Sequence, residues 1–310
     1  MTTILVTHPA GLNHVTPPGH PERVARLERI HAVLSAPDFA ALDRRSAPLA
    51  DDAEVLRCHP PRYLAWLRDS EPKDGWTQLD ADTHLSHGSI EAALRAVGGT
   101  NAAVDAVLAG QAANAFVAMR PPGHHAEAET PMGFCLFGTA AIAARRALDH
   151  HGLARVAVLD FDVHHGNGTQ ALLWDEPRAF FASSHQSPLW PGSGRATETG
   201  AHGQIMNAPL RPGSGGAEMR AAWEGILAHA RDFAPDLVIV SAGFDAEARD
   251  PLAQLEWTPD DFGWLTGAIC DLADHCCSGR VVSTLEGGYD LDGLGESVAR
   301  HVQILMERGQ

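Results

Sequence analysis

Six short apolar runs, each bounded by turn-forming residues, limit how this chain can fold: Ile4–Val6, Ala115–Met119, Arg155–Phe161, Ala179–Ser183, Asp236–Ser241 and Arg280–Leu285. Between them lie stretches of helical periodicity, at Pro21–Leu34, Ile90–Leu108, Thr139–His150, Glu218–Phe233, Thr258–Cys276 and Leu294–Met306. Runs rich in Val, Ile and Phe, without a wet face, read as strands buried on both sides. Strands alternating with helices imply a parallel sheet covered on both faces, an α/β fold. Gln186–Gly216, rich in Gly and Pro, reads as one long irregular loop, and loops of that length in compact domains are more often functional than idle. With no internal repeat and no low-complexity linker, residues 1–310 read as a single domain.

Open parallel sheets bind ligands beyond the carboxyl ends of their strands, so polar residues directly after a strand are candidates for a site. Three clusters qualify. Val156–Leu159 runs into Asp160-Phe-Asp162-Val-His164-His165-Gly-Asn167, Leu237–Val240 into Ser241-Ala-Gly-Phe-Asp245, and Ala115–Met119 into Arg120-Pro-Pro-Gly-His124-His125. Residues at i, i+2 and i+4 of an extended segment share a face, so Asp160, Asp162 and His164 point together. Carboxylates and an imidazole converging at a strand end suit a zinc ion with three protein ligands and one open position. Asp162, His164 and Asp245 are the expected ligands. Taken singly, these features have plainer explanations in capping, turns and hydrogen-bonded core histidines. Three of them after three different strands are much harder to explain that way.

Composition narrows the classes. A hydrophobic fraction of 45% with 20% charged residues describes a globular chain with a large core. Asp and Glu number 39 against 23 Lys and Arg, a net charge of −16, which argues against nucleic acid and anionic membranes as partners. Only one of those basic residues is a lysine, Lys73. Five cysteines without a CxxC pair indicate neither a disulfide framework nor a thiolate metal site. The N-terminal segment has no basic region leading into a long apolar core, so a cytoplasmic protein is the expectation. Histidines are unusually many, 18, and several stand in pairs.

The segments RPPGHHAE, GFCLFGTAAIAAR, VLDFDVHHGNGTQ, SAGFDAEARDPL and TLEGGYDLDGL closely resemble the zinc-dependent histone deacetylase family, in its class II form and the bacterial histone deacetylase-like amidohydrolases. The match runs from about His20 to Leu294, with motifs in family order. The resemblance implies the arginase-deacetylase fold, a parallel sheet of eight strands with helices on both faces. It places the zinc ligands on Asp162, His164 and Asp245, and the tandem active-site histidines on His124 and His125. Their partners are then Asp160 and Asn167, the asparagine being the class II form where class I carries aspartate. The transition-state tyrosine falls on Tyr289, a position that is histidine in the vertebrate class with weak activity on acetyl-lysine.

The resemblance also implies a substrate channel. Phe134 and Trp190 match the rings that sandwich an acyl-lysine stem, with Trp in place of the more usual Phe. Gly133 and Gly287 match backbone positions on the channel floor. Leu252 stands where polyamine-selective relatives carry a glutamate gatekeeper, which favours an acyl-lysine or neutral amide. Ser183 and Ser184, with Asp160, Asp162 and His164, match a structural potassium site, and Arg26 matches the arginine of an internal acetate pocket. Asp80–Gly88, with His84 and His87, reads as a rim loop, mostly solvated. The expected reaction is hydrolysis of an acylated lysine, in protein or peptide, to free amine and acetate. A second reading is an acetylpolyamine or other small-molecule amidohydrolase, and a third is a silent acyl-lysine binding module, against which the intact ligands and Tyr289 count. An arginase-like two-manganese hydrolase would need further aspartates beside Asp162 and Asp245, where Gly-Asn-Gly and Ala-Glu-Ala stand instead.

Overall fold

All six apolar runs become strands, and two more complete the sheet. The computed structural model describes residues 2–309. In chain order the strands are β1 (Thr3–Thr7), β2 (Asp43–Ser46), β3 (Thr77–Gln78), β4 (His84–Leu85), β5 (Asn114–Val117), β6 (Val156–Asp160), β7 (Ala179–Gln186), β8 (Ile205–Leu210), β9 (Leu237–Ala242) and β10 (Val281–Leu285). Eight of them form one sheet in the order β2-β1-β5-β10-β9-β6-β7-β8, every pairing parallel. The short β3 and β4 pair antiparallel apart from it.

The two faces of the sheet separate residue by residue. Phe116, Ala157, Leu159, Val238 and Val240 pack into one apolar layer with Leu27, Ile30, Trp223, Phe262 and Val298. Val117, Val156, Val158, Leu237 and Ile239 pack into the other with Val104, Ala140 and Ala144. Successive strand side chains point to opposite faces, so runs apolar at every position need a helical layer on each side. Helices Val24–Leu34, Gly216–Phe233, Pro259–Cys277 and Leu291–Arg308 cover the first face, and Ser89–Leu108 and Thr139–Asp149 the second.

The two unexpected strands lie at the sheet's edges. β2, of sequence DRRS, alternates between half-buried and exposed positions, which suits an edge and hides it from a search for apolar runs. β8 lies inside Gln186–Gly216, so that segment is not irregular throughout. Its Pro209 lacks a ladder donor, and an edge strand tolerates it because one side makes no ladder.

Candidate active site

Strands β5, β10, β9 and β6 are neighbours, and the polar segments that follow them meet above their carboxyl ends. Asp160 closes β6, level with Ser183 of β7 and Ser241 of β9. Backbone N–H groups then fix the carboxylates. Asp162 N–H donates to Asp160 Oδ1 at 3.1 Å, Val163 N–H to Asp245 Oδ1 at 2.8 Å, and Gly287 N–H to Asp162 Oδ2 at 2.8 Å. Only glycine lets the backbone approach so closely at 287, since a Cβ there would lie 2.2 Å from Asp245 Oδ2.

The three expected ligands come together. His164 Nδ1 lies 3.2 Å from both Asp162 Oδ1 and Asp245 Oδ2, and one donor atom of each residue lies within 4.8 Å of the others. All three are buried. Burial opposes protonation of His164, yet its bonds to Asp162 and Asp245 push its pKa up to about 10. Burial and the Asp162 charge push Asp245 upward as well. Both directions have one cause: two buried carboxylates demand a positive charge between them, whether a proton or a metal ion.

His124 and His125 lie beside this cluster with ring centroids 3.9 Å apart. His124 Nδ1 is 3.0 Å from Asp160 Oδ2, and His125 Nδ1 is 2.8 Å from Asn167 Oδ1, so both expected partners are in place. Their surroundings drive them apart. Burial disfavours the charged form of each, but at His124 the Asp162, Asp160 and Glu286 carboxylates prevail and hold the pKa well above 6.5. At His125, burial and the neighbouring His124 and His164 hold it well below. A cation among the carboxylates would lower both.

A cavity of about 370 Å³ leads from the surface to these groups, with His125, His164 and Tyr289 at its end and Phe134, Leu189, Trp190 and Leu252 on its walls. Trp190 stands edge-on to His125 at 4.7 Å, and Phe134 edge-on to Tyr289 at 5.8 Å. Gly133 makes the turn between them possible: its φ is +54°, and a Cβ would lie 2.4 Å from His125 Cδ2 and 2.6 Å from Trp190 Cη2. Burial raises the Tyr289 pKa well above 10, with Arg26 opposing and Asp245 and Asp162 adding. Its hydroxyl therefore stays a neutral donor.

Arg26 is fully buried and not on a solvated helix face. Its Nε donates to the Gly288 carbonyl at 2.5 Å, Nη2 to the Glu286 carbonyl at 2.6 Å, and Nη1 to Glu22 at 3.1 Å. The guanidinium lies 4.8 Å from the Tyr289 ring centroid. Ser183 Oγ is hydrogen-bonded to His185 at 3.0 Å, and Ser184 Oγ accepts from Trp223 Nε1 at 3.0 Å. The rim segment is not solvated throughout: Thr83 and Leu85 are buried, and Asp82 and His84 line the cavity. Its order comes from Asp82, which accepts from Gly133 N–H at 3.2 Å, and Thr83, which accepts from Phe134 N–H at 3.1 Å.

Two carboxylates of the site were not expected from sequence. Glu286 accepts from Gly123 and His124 N–H at 2.6 and 3.1 Å, and burial pushes its pKa to about 7. Asp250 accepts from Tyr289 N–H at 2.7 Å and Leu252 N–H at 3.0 Å, holding both channel residues. Glu286 directly follows the apolar run of β10 and so met the strand-end criterion, whereas Asp250 lies in a loop without a local signal.

Residues 20–305 match the histone deacetylase domain family. The chain belongs to the histone deacetylase family. It is a hydrolase of the deacetylase type, acting on acetylated amines. It is similar to the chloroplastic histone deacetylase 10 of Oryza sativa subsp. japonica, at 44% identity over 90% of this chain and 68% of that one. It is also similar to the histone deacetylase-like amidohydrolase of Pseudomonas aeruginosa, at 40% identity over 92% of this chain and 77% of that one. Among solved structures, the HD domain of HDA15 superimposes with a TM-score of 0.94 at 30% identity, covering 99% of this chain and 89% of that one. The eight-stranded arginase-deacetylase fold is therefore the fold of this deacetylase.

Proposed function

We propose that this deacetylase hydrolyses the side-chain amide of N-acetyl-lysine in a protein or peptide, with one zinc ion held by Asp162, His164 and Asp245. The observation that carries the reading is the channel walled by Phe134, Leu189, Trp190 and Leu252, which ends on His164 of that triad, His125 of the histidine pair and Tyr289. A channel of this kind takes a linear aliphatic stem and presents the amide at its end. The triad fits zinc on donor chemistry and on spacing. Tetrahedral ligands about 2.0–2.1 Å from the ion stand about 3.3 Å apart, and His164 Nδ1 stands 3.2 Å from each carboxylate oxygen. When bound there, zinc polarises the amide carbonyl and makes water nucleophilic near neutral pH.

The protein's own groups do the rest. His125, neutral in its buried position, takes the proton of the attacking water and returns it to the leaving amine. His124, paired with Asp160 through Nδ1, stands beside His125 as electrostatic support for the developing oxyanion. Tyr289 donates its hydroxyl to that oxygen as charge builds. Asp250 and the guanidinium of Arg26 hold the tyrosine in place. We assign the acetate path to the buried Arg26, and a structural potassium ion to the backbone around Asp160, Asp162, His164, Ser183 and Ser184.

Leu252 supports an acyl-lysine over a polycation, because that position offers no carboxylate for a distal ammonium, although Asp82 also lines the cavity. The test is a panel of acetyl-, trifluoroacetyl- and longer acyl-lysine peptides beside acetylated polyamines, on one zinc-loaded preparation. Acetyl-lysine should be turned over with the higher kcat/KM. A preference for acetylated polyamines would overturn the lysine assignment.

A further inference from the structure

Asn167 has two unlike ends, and each meets a different neighbour. Its Oδ1 faces His125 Nδ1 at 2.8 Å, while Nδ2 donates to Glu127 Oε1 at 3.0 Å. The Met132 sulfur at 3.4 Å and the His125 carbonyl at 3.5 Å are weaker acceptors for the same nitrogen. A carboxamide turned by half a rotation fills the same space with oxygen and nitrogen exchanged. Turned that way here, its oxygen would face the Glu127 carboxylate, which accepts and cannot donate. The carboxylate thus selects one orientation through a charge-assisted bond.

The choice reaches the ring of His125. An oxygen opposite Nδ1 requires a proton on Nδ1 and leaves the lone pair on Nε2, the nitrogen away from Asn167. An amide nitrogen there would require the reverse tautomer. Glu127 itself lines a separate groove of about 550 Å³ with Gln170, Trp174 and Ser193, and that groove shares no lining residue with the substrate channel.

We propose that Glu127 is a positioning residue that holds the Asn167 carboxamide one way round and so keeps His125 in the tautomer able to accept a proton at Nε2. This rests on the reading of His125 as the proton acceptor. Because Glu127 does not touch the channel, its loss lowers kcat and leaves KM in place.

An aspartate at 167 would have two equivalent oxygens and nothing to select, so the effect of Glu127 depends on the residue there. The experiment is a double-mutant cycle on the zinc-loaded protein, measuring kcat and KM for an acetyl-lysine peptide. In the native background Glu127→Ala lowers kcat about 10- to 100-fold, the equivalent of one lost charge-assisted hydrogen bond. In the Asn167→Asp background the same substitution leaves kcat unchanged or raises it. Glu127→Gln can turn either its oxygen or its nitrogen to Asn167 and so selects neither orientation; it lowers kcat in the native background as Glu127→Ala does. Ring ¹⁵N shifts of His125 provide a readout independent of turnover, with the Nδ1–H form dominant in wild type and a mixture in Glu127→Ala. Equal losses in both backgrounds, or an unchanged tautomer in Glu127→Ala, would overturn the proposal. Full turnover by His125→Phe would strike instead at the proposed function, and the ¹⁵N spectra would still decide the role of Glu127.

Discussion

Tyr289→Phe separates chemistry from binding because every packing contact of the tyrosine seen in the structure is made by its backbone or ring. Its N–H donates to Asp250 at 2.7 Å, its ring stands edge-on to Phe134 at 5.8 Å, and Arg26 lies 4.8 Å from the centroid. None of those contacts uses the hydroxyl, so phenylalanine keeps them all. The stability change should stay within about 0.5 kcal/mol, as for other substitutions that leave packing intact. The rate should respond very differently. Removing one preorganised donor to a developing oxyanion costs about 10²–10³ in kcat, or about 2.7–4 kcal/mol. The variant should therefore keep its metal and still bind a zinc-chelating hydroxamate, while acetyl-lysine turnover falls by that factor. Trifluoroacetyl-lysine should lose less, because its electron-poor carbonyl needs less help from a donor. Steady-state kinetics on both substrates, with metal content and hydroxamate binding measured on the same preparations, makes the comparison. Acetyl-lysine turnover near wild type would remove Tyr289 from the catalytic set.

Four further outcomes are expected. Asp245→Ala should lose bound zinc, since it removes one of three ligands, and elemental analysis showing full occupancy would contradict the triad. Leu252→Glu should raise kcat/KM for acetylated polyamines relative to acetyl-lysine by placing a carboxylate at the channel wall, measured by paired substrate assays. Gly133→Ala must hold a φ of +54° and push His125 and Trp190 aside; the backbone alone costs about 1–2 kcal/mol, so Tm and kcat should both fall. Burial holds His301 to a pKa of about 3, between Thr266 at 2.7 Å and Ser283 at 2.9 Å. A histidine lowered in the folded state stabilises fully above its unfolded pKa and loses that contribution as pH falls towards the folded value. Acidification from pH 7 to 5 should therefore cost up to about 2 kcal/mol through this residue, and urea unfolding at the two pH values should show the loss.

The central strands were legible because burial on both faces leaves no choice of residue. β6 reads Val-Ala-Val-Leu and β9 Leu-Val-Ile-Val, and each position serves one apolar layer or the other. At the edges that constraint lapses. β2 carries two arginines and β8 a proline, because one side of each makes no ladder, and neither forms an apolar run that could be found in advance.

The site divides along a similar line. Asp160, Asp162 and His164 converge through local geometry, since a strand end turned into a loop fixes their shared face. Asp245 lies 81 positions beyond His164 and joins them only because β9 lies beside β6 with Ser241 level with Asp160. Its position after an apolar run marked it as a residue of the sheet's carboxyl edge, while the sheet order that makes it a neighbour is a property of the whole fold. Asp250 and Glu22 lacked even that mark. Asp250 acts by accepting backbone N–H groups of the tyrosine loop, and Glu22 by pairing with Arg26 and the distant Arg120 under the site. Residues that hold other residues depend on contacts between segments far apart in the chain, whereas ligands and proton carriers carry a chemical identity that a local pattern can expose.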